Sequence, residues 1–110
     1  MPVATLVKIR ALRKDLGTQS RLAELLGVSR SRVTRWLDGE GIDETNADRI
    51  DQLELVMAMA FRTYEPEAVR AWLTGLNPLL GYRQPIWFIR QGRFEEVVAA
   101  LRQERAGSFA

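Results

Sequence analysis

The 110-residue chain contains neither cysteine nor histidine. Without thiols it has no disulfide and no thiolate nucleophile, and without imidazoles it loses the commonest general base and nearly every zinc or copper site. Ser20, Ser29, Ser31 and Ser108 have no histidine to activate them. Long apolar runs are missing too. The longest, residues 55–61, falls far short of the ~20 residues that span a bilayer. Lys8, Arg10, Arg13 and Lys14 break up the early apolar positions that a secretory leader keeps continuous. The carboxylates do not supply chemistry either. Glu95 and Glu96 diverge by about 100° on a helix, and Asp38, Glu40, Asp43 and Glu44 do not fill a twelve-position calcium loop. Gly75, Gly81 and Gly92 lack the spacing of a phosphate cradle. The expectation is a cytoplasmic protein with no membrane partner, no metal, no cofactor and no catalytic activity.

What is present is a hydrophobic fraction of 46%, ordinary for a folded domain. The net charge of +2 is unevenly spread. Residues 1–40 carry eight Lys/Arg against four Asp/Glu, residues 41–63 two against five, and the remainder six against five. A basic first third suits a phosphate-facing surface, though it equally describes a solvated helix face.

Apolar residues recur at helical spacing, and nowhere does period-two alternation persist long enough for a strand. Leu6, Ile9, Leu12 and Leu16 form a first amphipathic stripe, stopped by Gly17. Thr18 can cap a second helix with Leu22, Ala23, Leu25 and Leu26 inward, ended by Gly27. Ser29 can cap a third, carrying Val33, Trp36 and Leu37. Thr45 or Asn46 is expected to open a longer helix through Arg62. Pro66 and Pro85 sit at favourable first helical positions, and a last helix is expected over residues 93–105, followed by a tail from Ala106. The fold class is all-α: a helix-turn-helix N-terminal bundle over residues 1–62 and a small helical domain over 63–110.

The segment QSRLAELLGVSRSRVTRW, residues 19–36, resembles the helix-turn-helix of phage repressors and Xre-type regulators. Ala23 is small where two helices cross, Gly27 permits a left-handed turn, and Leu22, Leu26, Val28, Val33 and Trp36 set the angle between the helices. Ser29, Arg30, Ser31, Thr34 and Arg35 are left on an outer face suited to the major groove of operator DNA. Arg30 and Arg35 are candidates for bidentate contact with guanine, and Ser31 and Thr34 for base edges or a thymine methyl. The resemblance implies a phosphate contact for Gln19. Arg21 and Arg32 are expected to add salt-dependent backbone affinity.

The C-terminal half, VRAWLTGLNPLLGYRQPIWFIRQGRFEEVVAALRQERAG, resembles the toxin-binding domain of Xre/MbcA/ParS-type antitoxins. The shared features are Trp72-Leu73, Asn77-Pro78, Leu80-Gly81, Pro85 before an apolar helix, Gly92, and a last helix with Val97 and Leu101. The resemblance runs from about Gln19 onward; residues 3–16 carry no family landmark, and Trp87 and Phe88 stand where smaller aliphatics are frequent. It implies a cognate RES-domain toxin that consumes NAD, autorepression through the helix-turn-helix, and a C-terminal end that blocks the toxin's cleft. That end comprises Arg105, Gly107, Ser108, Phe109 and Ala110, the exposed phenyl ring gaining from burial. Tyr82, Arg83, Arg90 and Arg93, on turns or beside glycine, are further candidates for the toxin contact. Trp72, Trp87, Phe88 and Phe94 are expected mostly in the core. A homodimer that also assembles with the toxin is expected. The alternative is a stand-alone dimeric Xre-like repressor whose C-terminal half only dimerises.

Overall fold

The structure, a computed structural model, describes residues 3–107. Among these, seven α-helices and one 3₁₀ turn account for the regular structure: α1 Val3–Leu16, α2 Gln19–Leu26, α3 Arg30–Leu37, α4 Glu44–Thr63, α5 Pro66–Thr74, the turn Pro78–Leu80, α6 Pro85–Arg90 and α7 Phe94–Gly107. The protein is all-α. The described chain divides into two compact units between Glu54 and Leu55, inside α4 and earlier than the boundary after residue 62 read from the sequence. None of its helices is long and apolar enough to cross a membrane.

In the first unit α1, α2 and α3 pack against one another. Ile9, Leu12, Leu16, Leu22, Leu25, Leu26, Val33, Trp36, Ile50 and Leu53 are buried. Their spacing within each helix puts one stripe inward, and burying that stripe stabilises helices too short to persist alone. Trp36 is the largest fully buried side chain, and truncating such a residue costs roughly 3–5 kcal/mol. Arg49 Nη1 donates to the Leu26 carbonyl at 3.2 Å, so α4 supplies a cation to the C-terminal end of α2.

The start of α4 differs from the sequence reading. Thr45 and Asn46 lie inside the helix, and Asp43 does the capping: its carboxylate accepts the Asn46 backbone N–H at 3.2 Å and the Asn46 side-chain N–H at 2.7 Å. All three residue types cap well; Asp43 prevails because Asn46 folds back onto it and Arg32 adds an opposite charge at 3.4 Å. Further along α4, Lys8 holds Asp51 at 2.8 Å and Glu54 at 3.9 Å, which keeps its ammonium charged to higher pH than usual.

In the second unit α5 packs on α6, α6 on α7, and α7 on the 3₁₀ turn. Val69, Leu73, Leu80, Ile86, Phe88, Ile89, Phe94, Val97, Ala100 and Leu101 are buried. Proline opens α5, the 3₁₀ turn and α6, where its missing N–H leaves no helical bond unmade. The Tyr64 hydroxyl donates to the Glu104 carboxylate at 2.5 Å. Burial, then this contact, raises the phenol above its ordinary range. Helix α7 runs on through Ala106 and Gly107, which the sequence reading had assigned to a tail.

Candidate nucleic-acid interface and partner surface

The orientation of α3 is fixed by three local devices. Thr18 Oγ1 accepts the Arg21 N–H at 3.1 Å and so starts α2. Gly27, at φ 69°, ends it in a left-handed turn, with the Val28 N–H bonding back to the Ala23 carbonyl at 3.0 Å; a Cβ at that φ is costly, which is why glycine stands there. Ser29 Oγ then accepts the Arg32 N–H at 3.1 Å and starts α3. With Val33 and Trp36 buried beneath, Ser29, Arg30, Ser31, Arg32, Thr34 and Arg35 are all exposed on the outer face.

These side chains are not equally free. The Gln19 amide donates to Thr34 Oγ1 at 2.9 Å, and the Thr34 hydroxyl donates to the Arg30 carbonyl at 3.1 Å. Arg21 lies 3.7 Å from Glu24. Arg35 pairs with Glu40 at 3.3 Å. Arg32 pairs with Asp43 and lies over the Trp36 ring, 5.6 Å from its centroid. Arg30 alone of the three α3 arginines meets no carboxylate among the described residues. The acidic loop after α3 thus neutralises part of the basic face: Glu40 and Asp43 are spent on ion pairs and a cap. Hydrogen bonds from the Asn46 side chain and backbone, with Arg32 behind them, hold the Asp43 carboxyl below its usual range.

The second unit presents a different surface, built on Asn77. This side chain is buried, and its Oδ1 accepts the Leu79 N–H at 2.9 Å. Its carbonyl accepts the N–H groups of Leu80 and Tyr82, both at 2.9 Å, and its own N–H donates to the Arg83 carbonyl at 3.2 Å. Gly81 and Tyr82 follow at φ 64° and 62°, and Tyr82 is the one non-glycine residue with positive φ among those described. For a bulky side chain that backbone costs about 1–3 kcal/mol. The result is a closed turn whose outer residues are apolar: Leu76 is 71% exposed, Tyr82 67% and Leu79 39%. Leu76 and Leu79 were not singled out from the sequence; their exposure depends on the turn, which helical spacing does not reveal.

Next to this turn, Trp87 is flanked by Arg83, 4.2 Å from its ring centroid, and Arg93, at 5.4 Å. Arg93 is also paired with Glu96 at 2.7 Å. Phe88 and Phe94 are buried as expected of core aromatics, whereas Trp72 and Trp87 are half-buried. Trp87 also meets Phe88 in a T-shaped contact, ring centroids 4.9 Å apart, so an apolar ring and two guanidiniums share its surroundings. Arg90 is exposed at the end of α6, and Arg105 and Gly107 are exposed in the last turn of α7. Ser108, Phe109 and Ala110 lie outside the described residues.

Known proteins resemble this chain in sequence and in fold. Residues 9–56 match the family described as Helix-turn-helix. The chain is 24% identical over 93 residues to the mycobacterial cidal antitoxin MbcA of Mycobacterium bovis and of Mycobacterium tuberculosis, covering 84% of this chain and 82% of each relative. The crystal structure of the M. tuberculosis MbcT–MbcA toxin–antitoxin complex contains a chain of the same fold, with TM-score 0.81 at 22% identity and 100% coverage of both chains. The chain is therefore similar to the antitoxin MbcA over most of its length, and its residues 9–56 to the helix-turn-helix family.

Proposed function

We propose that this protein binds and neutralises a RES-domain enzyme that consumes NAD or uses it to modify a target, and that it represses its own operon through α2 and α3. One observation carries the antitoxin reading. The 93 residues aligned with MbcA outnumber either compact unit, so the likeness to an antitoxin includes sequence from both. A repressor with an unrelated C-terminal half would align over the helix-turn-helix alone.

In this reading Ser29, Arg30, Ser31, Thr34 and Arg35 face the major groove, and Gln19, Arg21 and Arg32 the phosphates. The protein acts on DNA as a homodimer, with half-sites about one helical turn apart. Tyr82, Arg83, Arg90 and Arg93 face the enzyme. Arg105 and Gly107, at the end of α7, lead the last residues, Ser108, Phe109 and Ala110, into its active-site cleft, where a phenyl ring gains from leaving water.

The test is to look for a RES-domain reading frame adjacent to this one and to co-express the two, following growth and cellular NAD. The full chain should preserve both. A chain ending at Gly107 should lose protection while still binding operator DNA. Full protection by the shortened chain would remove the plugging role of the end, and no protection by the full chain would remove the antitoxin reading.

A further inference from the structure

We propose that the turn over residues 76–83 is the principal anchor on the partner enzyme, and that it fits an acidic rim around an apolar recess. This rests on the antitoxin reading above and adds where the affinity resides and what chemistry receives it. Tyr82 and Leu79 enter the recess, and Arg83 meets a carboxylate on its rim.

Charge argues for the acidic complement. From Gly75 to Phe94 the chain has three arginines, Arg83, Arg90 and Arg93, and no aspartate or glutamate. Arg93 is matched by Glu96. Arg83 is held over Trp87 at 4.2 Å and meets no carboxylate among the described residues. A guanidinium stacked by its face keeps its edge N–H groups available, and these suit a carboxylate oxygen pair.

Rigidity argues that the turn, more than the chain's end, supplies binding energy. The hydrogen bonds around buried Asn77 fix the backbone of residues 77–83 before any partner arrives. Gln84 Nε2 extends the brace by donating to the Thr74 carbonyl at 2.7 Å. A preformed anchor loses little freedom on association. Tyr82, 67% exposed and kept in an unfavourable backbone region, makes no side-chain hydrogen bond or ring contact among the described residues to offset that strain. Tyrosine, arginine and tryptophan are also the side chains on which binding energy concentrates.

The experiment is calorimetric titration of the purified full chain into a catalytically inactive form of the RES-domain enzyme that the co-expression test pairs with it. Tyr82→Gly removes the ring and also relieves the positive φ, so lost binding is not lost folding. Arg83→Gln keeps a polar side chain without charge. Each substitution is expected to weaken binding about tenfold or more. Added salt should weaken the unaltered chain more than Arg83→Gln. A chain ending at Gly107 should bind nearly as tightly as the full one while failing to inhibit. Affinities within about twofold for both substitutions would overturn the anchor. Loss at Tyr82 with Arg83→Gln silent would overturn the acidic complement, and loss of binding on shortening the chain would move the anchor to the end. If the unaltered chain does not bind, the antitoxin reading falls, and this inference with it.

Discussion

The side chain of Gln19 donates to the hydroxyl of Thr34 at 2.9 Å, joining the first turn of α2 to the outer face of α3. Through Thr34 the link reaches the carbonyl of Arg30. A side chain expected to contact phosphate is thus also a brace for α3. Gln19→Ala and Thr34→Val should each weaken operator binding, and their effects should fall short of adding. A double-mutant cycle on operator DNA should give a coupling of about 0.5 kcal/mol or more. Losses that add within about 0.3 kcal/mol would mean the bond does not matter to binding.

Arg30 and Arg35 were equal candidates for base contact, but the fold distinguishes them, because Arg35 has Glu40 at 3.3 Å. Arg30→Ala should cost about 1–3 kcal/mol on the operator and blunt discrimination at one base pair. Equal losses on operator and random DNA would sink the base-reading role. Glu40→Gln should do the reverse, raising affinity for any duplex and steepening the salt dependence by about one phosphate contact.

The Asp43 carboxyl titrates below its usual range because Asn46 and Arg32 favour the charged form. A depressed folded pKa means the stabilisation is complete above the unfolded value, about 4, and is lost as pH falls through the folded one. Asp43→Asn retains a capping oxygen but no charge. Thermal melts should therefore show the variant less stable at neutral pH, with the gap closing below about pH 4. A gap that persists into acid would mean the charge contributes nothing.

Helix starts were legible wherever one residue alone could cap. Thr18, Ser29, Pro66 and Pro85 stand where the structure uses them. At α4 Asp43, Thr45 and Asn46 competed within four residues, and Asp43 is held by Asn46 and, eleven residues away in sequence, by Arg32. The same limit hid the ion pairs of Arg32 and Arg35. Their partners lie on a loop, and periodicity does not say where a loop folds back. Tyr82 and Arg83 were legible as surface residues from the glycine before them. The bonds of Asn77 that make their turn rigid were not, since one comes from its buried side chain and the rest from its backbone, in a segment without helical phase.

The three tryptophans are divided between the units: Trp36 buried in the first, Trp72 and Trp87 half-buried in the second. The molecule therefore carries intrinsic fluorophores that can be read separately. Trp36 emission follows the core beneath α3. With Trp36 replaced by phenylalanine, the remaining signal follows the second unit, and Trp87, under Arg83, lies beside the turn proposed to meet the enzyme. Variants that keep the tryptophans of one unit alone can thus report on each half without an attached dye.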